Sequence, residues 1–192
     1  DLDALLVAVL DKVMAESVAA TAAGIAAVAG TGDTSTAVRA AIGSFLRFVS
    51  EDPRRARVLF IEGLANEALS QSRFGMIHDM ANALARDAMG ITDPDEPLSG
   101  VPSLVIVAAN LFMGGISELV MSWVTGRLDV TLDQLEEDAT ALFLVIFEGV
   151  RALGEERGVP LRNPLEGVPG AGADPGAGRS GAGPDDAGAG TD

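Results

Sequence analysis

The chain has no cysteine and no tyrosine, and only one histidine, one tryptophan and one lysine among its 192 residues. Without cysteine there are no disulfides, thiolate metal ligands or cysteine nucleophile, so stability must come from packing, and a reducing cytoplasm fits. A single histidine leaves little for a metal cage or for a nucleophile with a His base. A di-iron carboxylate bundle needs Glu-x-x-His pairs, and Gly75 stands three residues before His78. The glycine-rich C-terminal segment has no Lys-Ser/Thr ending and follows no strand, so it is not a phosphate loop. The paired acids Asp93 and Asp95, and Glu136 and Glu137, fall in a loop and at a helix start, where acids are ordinary. The expectation is no catalysis, no cofactor and no metal site. Positive charge is equally scarce: Lys12 and twelve arginines oppose 28 acids, for a net charge of −15. Such a chain repels phosphate backbones and is not expected to hold DNA by itself. Long apolar runs are missing too. The longest uncharged one, Leu104 to Ile116, has 13 residues, fewer than the roughly 20 that a bilayer needs. No membrane span is expected, and "DLDALLVAVL" begins with acids where a secretory signal carries positive charge.

What is present is helical. Hydrophobic residues make up 48% of the chain, dominated by Ala, Leu and Val, a usage that favours helices over sheets. Leu2, Leu5, Leu6, Val9, Leu10, Val13 and Met14 recur at helical spacing, predicting a first helix from about Leu2 to Val28 that Gly30 and Gly32 break. A second starts near Asp33 or Thr34 and turns Val38, Ile42, Phe45, Leu46 and Val49 inward. In "EDPRRARVLF", Asp52 is placed to cap and Pro53 to occupy the first helical position; Gly63 and Asn66 soften the end of that short helix. A fourth helix is predicted from about Asn66 to Met89, a fifth from Pro102 to about Thr125, and a sixth after Thr131. Thr131 and Gln134 form a capping-box pattern, with Val130 and Leu135 spaced as a hydrophobic staple. The fold class is therefore all-α, a bundle of about six helices over residues 1–157, followed by a Gly/Ala/Pro/Asp-rich tail over 158–192 too polar to offset its ordering entropy.

Residues 114–150, "GGISELVMSWVTGRLDVTLDQLEEDATALFLVIFEGV", raise the main question. Both helices of this hairpin are apolar over more than the ~100° stripe of a one-sided surface helix. Their spare surface needs a partner, and a second copy is the economical one. A homodimer is expected, through an intersubunit four-helix bundle of the last two helices of each subunit, with Leu119, Trp123, Leu135, Leu142, Phe143, Ile146 and Phe147 at the interface. The same residues also suit the core of a monomer.

The order "DLDALLVAVLDKV", then "DPRRARVLFIEG", then the hairpin just quoted resembles the C-terminal regulatory domain of TetR-family transcriptional repressors over about residues 1–154. Each segment is a degenerate pattern of apolar and capping positions; their order and spacing together carry the resemblance. It implies that the last two helices build a dimer and that the preceding ones, the first included, surround a pocket for a small effector. In that family a DNA-binding helix-turn-helix precedes the first helix. The sequence departs from the pattern there, because no three-helix head lies upstream of Asp1; this reads as either a truncation or a separated domain, and the abrupt helical start favours the former. DNA would then be reached only through a domain not present in this chain. The resemblance implies an effector-sensing, dimerising domain in which a small lipophilic molecule alters the spacing of the recognition helices. The alternative is a free-standing helical dimerisation or interaction module.

Effector pockets are mostly apolar with a few orienting polar groups. Asn110, the one amide within the long apolar run, is the first candidate contact, since a buried amide must find a partner in ligand or protein. His78 and Ser117 are further polar candidates, and Phe45, Phe60, Met76 and Met113 offer adaptable apolar walls. Ordinary core and surface roles are open to each of them.

Overall fold

In the computed structural model the described residues are 2–62, 67–93 and 95–163. Gly63, Asn66 and residues 164–192, which include most of the expected tail, lie outside them. Helix α1, Leu2–Val28, ends in a 3₁₀ turn and at Gly32, whose φ of 65° is a left-handed conformation that glycine adopts without strain. Helix α2, Thr34–Glu51, starts where Asp33 accepts hydrogen bonds from the backbone N–H groups of Ser35 and Thr36. Its Val38, Ile42, Leu46 and Val49 are buried on one face.

Asp52 and Pro53 behave as their spacing predicts. The Asp52 carboxylate accepts from the Arg54 N–H, and Pro53 opens the short α3, Pro53–Ala56. The chain then widens into a π-helical turn, Arg57–Ile61, which buries Leu59 and Phe60. Helix α4, Glu67–Met89, runs unbroken through Gly75. Helix α5, Ser103–Val124, and α6, Leu132–Glu156, complete an all-helical architecture, with no strand among the described residues. The capping box of α6 is formed in both directions: the Gln134 N–H donates to the Thr131 hydroxyl, and the Thr131 N–H donates to the Gln134 side chain. The indole N–H of Trp123 donates to the Val130 carbonyl at 3.0 Å, tying the α5–α6 turn to α5.

The main core joins Leu10 of α1, Leu46 of α2, Leu59 and Phe60 of the π turn, Val120 of α5, and Leu135, Ala139 and Phe143 of α6. Arg47 of α2 donates to Glu136 of α6 at 2.7 Å across this packing. A second, smaller seam of Ala81, Ala85, Val105 and Ala109 lets α4 and α5 approach closely. Residues 158–163, assigned from composition to the tail, pack here: Val159 and Leu161 cover the seam, and the Arg162 N–H donates to the Ala88 carbonyl at 2.9 Å.

One sequence expectation needs qualification. The 13-residue uncharged run understates α5, whose 22 residues carry one charge, Glu118, and include an 18-residue stretch with a mean hydropathy of 1.9. By length and composition, α5 and the stretch Asp3–Thr31 are apolar enough to cross a bilayer. Both pack on other helices of the bundle, α1 on α2 and α4, and α5 on α4 and α6.

Candidate functional site

The helical faces that meet inside the upper bundle do not fill it. A cavity of about 290 Å³ lies between α1, α2, the π turn, α4 and α5, close to the lower end of the range for small-molecule sites. Helix α1 contributes Leu10, Met14, Thr21 and Ile25; α2 contributes Ile42 and Phe45; α4 contributes Met76, Ile77, Met80 and Leu84. Phe112, Met113 and Ile116 close it from α5. Unbranched thioethers and phenyl rings make such a wall deformable without polar atoms that need satisfying.

Polar groups at the wall are few. Thr21 returns its hydroxyl to the Ser17 carbonyl of its own helix. The exception is Arg73 on α4. Its Nη2 donates to the Ser117 hydroxyl at 3.3 Å, and its guanidinium lies 5.8 Å from the centroid of the Phe60 ring. Its Nε is buried and has no hydrogen-bond partner among the described residues. Burial lowers the Arg73 pKa from its ordinary value, and the charge of Glu118 partly offsets this. An arginine so perturbed still carries its proton at neutral pH. No carboxylate among the described residues pairs with it.

Of the seven residues singled out as pocket contacts, the fold brings Phe45, Phe60, Met76, Met113 and Ser117 to one cavity. Asn110 and His78 are not in its wall. Asn110 Nδ2 donates to the Ile106 carbonyl at 2.8 Å, one turn back on α5, so the amide is satisfied by its own helix. His78 is exposed, because the face of α4 that carries Arg73, Met76, Ile77, Met80 and Leu84 turns it outward. Arg73 itself gives no signal in sequence, where it is one of many scattered counter-charges.

The hairpin residues also divide. Leu142 and Ile146 are exposed, whereas Leu135 and Phe143 are buried in the subunit's own core. Leu119, Trp123 and Phe147 pack partly against that core. The expected interface therefore includes residues that the monomer already uses, since helical spacing alone does not say which face turns inward. The unpartnered face of α6 instead runs through Leu142, Val145, Ile146, Gly149 and Leu153, and α5 exposes Val107 and Leu111. Exposure reaches 70% at Val145 and 66% at Leu111, high for large aliphatic side chains. Gly114, Gly115 and Gly149 are also exposed and would meet nothing with an added Cβ, so the backbone is open to close approach.

Compared with protein-family models, curated proteins and solved structures, the chain matches none.

Proposed function

We propose that the chain is the effector-binding and dimerising domain of a TetR-like transcriptional repressor. In this reading a small lipophilic molecule occupies the cavity, two copies join through the α5–α6 hairpins, and a helix-turn-helix continuous with α1 reads DNA. The observation that carries it is the combination, in one helical bundle, of an apolar cavity walled in part by α1 with an unpartnered aliphatic stripe on the C-terminal hairpin. A ligand lodged against Leu10, Met14, Thr21 and Ile25 acts on α1 directly. It shifts the separation of two DNA-reading heads only if it binds one position of α1 better than another.

A second copy suits the hairpin stripe better than lipid does. The exposed acids Glu137, Asp138 and Glu148 flank it on α6, giving an apolar centre with a charged rim, the usual anatomy of a protein interface. Melting curves of the chain against a panel of lipophilic compounds test the cavity, since a ligand that binds only the folded state raises its stability by mass action. Stabilisation by lipophilic members of the panel supports the reading. Shifts confined to sugars or nucleotides overturn it.

A further inference from the structure

We propose that the cavity selects a lipophilic carboxylic acid, its carboxylate seated on Arg73 and Ser117 and its hydrocarbon body among Met14, Phe45, Met76 and Met113. This rests on the reading of the cavity as a small-molecule site and adds the charge and head group of its occupant.

Four observations converge. Apart from Thr21, whose hydroxyl is used within α1, the polar residues of the wall are Arg73 and Ser117, with 3.3 Å between Nη2 and the hydroxyl. The Nε of Arg73 is buried and has no acceptor among the described residues, and a buried donor without an acceptor is uncommon enough to need a reason. Nε and the guanidinium nitrogens form a planar fork whose geometry matches the two oxygens of a carboxylate. The guanidinium carbon lies over the Phe60 ring, 5.8 Å from its centroid. Glu118, the charge felt by Arg73, is outside ion-pair distance, and its carboxylate accepts instead from Ser122. Arg73 thus brings a guanidinium without a carboxylate partner among the described residues to the wall of an oily chamber.

The charge of the whole chain sharpens the argument. At −15 the protein repels anions in general, so an anion held here is held by the local arginine and not by a diffuse field. A neutral alcohol of equal chain length fills the same walls without engaging the fork. An amine places its charge against the arginine.

The test is isothermal titration of the full chain with decanoate, decanol and decylamine, each below its aggregation concentration. Decanoate is expected to bind at least about tenfold more tightly than decanol, a difference of about 1.4 kcal/mol, with decylamine weakest. In Arg73→Met the preference for acid over alcohol is expected to collapse. The ligand series on the unaltered chain decides the question even where that variant fails to fold. Decanol binding as tightly as decanoate overturns the carboxylate anchor while leaving the apolar pocket in place. Binding by none of the three overturns both.

Discussion

Phe112 of α5 and Phe143 of α6 meet edge to face, with ring centroids 4.4 Å apart and planes at 70°. This contact sets the level of one helix against the other in an antiparallel hairpin. It also separates two kinds of residue that adjoin in sequence. Phe143 is 8% exposed and belongs to the subunit core, while Leu142 beside it is 58% exposed and belongs to the unpartnered stripe.

Phe143→Ala removes the edge-to-face contact and leaves a void in the core, so it is expected to lower the unfolding free energy by about 3–5 kcal/mol. Leu142→Ala leaves no such void and is expected to change the stability of the isolated subunit by less than about 0.5 kcal/mol. Urea unfolding at dilution compares the two; equal losses contradict the assignment of these neighbours to different surfaces.

The capping box is expected to contribute measurably to α6. Thr131→Ala removes the acceptor of the Gln134 N–H and is expected to cost about 1 kcal/mol. Because α6 joins the main core, the loss should appear in global urea unfolding and not only in local fraying.

At Gly24, α1 lies tightly against α2. A Cβ at this position would lie 2.8 Å from the Ser44 Cβ and 3.1 Å from the Ala40 carbonyl oxygen. Alanine gains about 1 kcal/mol in helix propensity at an exposed interior site, but forcing α1 off α2 costs about 1–3 kcal/mol. Gly24→Ala is therefore expected to destabilise the fold despite the better helix former. Exposed Gly75, with nothing near an added Cβ, is the control: Gly75→Ala is expected to stabilise, and thermal melts of the two variants should shift in opposite directions.

Acid sensitivity is expected from two caps. The Asp33 pKa is lowered first by the Thr36 hydroxyl and then by the Thr36 and Ser35 N–H groups. That of Asp52 is lowered first by the Arg54 side chain and then by the Arg54 N–H. A depressed folded-state pKa means that the native state binds fewer protons than the unfolded chain. The stability from each cap is therefore complete above the ordinary carboxylate value of about 3.9 and is lost as pH falls through the lower folded value. Asparagine still caps but cannot titrate, so a double Asp33→Asn, Asp52→Asn variant should lose less stability than the unaltered chain below about pH 4. Urea midpoints across that range check this, and parallel acid profiles would contradict it.

Helix positions were legible in sequence because their ends carry local chemistry. Asp33, Asp52 with Pro53, Thr131 with Gln134, and Gly126 act through neighbours within four residues. Helix rotation was less legible. Leu135, Leu142, Phe143 and Ile146 all satisfy one broad apolar pattern, and only the packing of α6 on α2 and α5 decides that the first and third turn inward. The cavity was readable as far as its apolar walls, from Phe45 to Met113, because large flexible side chains at helical spacing must meet somewhere. Asn110 stood out by contrast with its neighbours, yet the backbone of its own helix satisfies it. Arg73 is the reverse case: nothing in the linear order distinguishes it from eleven other arginines, and the burial of its Nε without a hydrogen-bond partner among the described residues arises only on folding.

The pairing of two chains through the exposed faces of α5 and α6 is the claim on which the functional account rests. Sedimentation velocity at micromolar concentration in detergent-free buffer measures it directly. The account predicts a species of twice the 19.6 kDa chain mass that Val145→Glu converts to single chains with undiminished helical circular dichroism. A compact single chain of 19.6 kDa for the unaltered protein would contradict it.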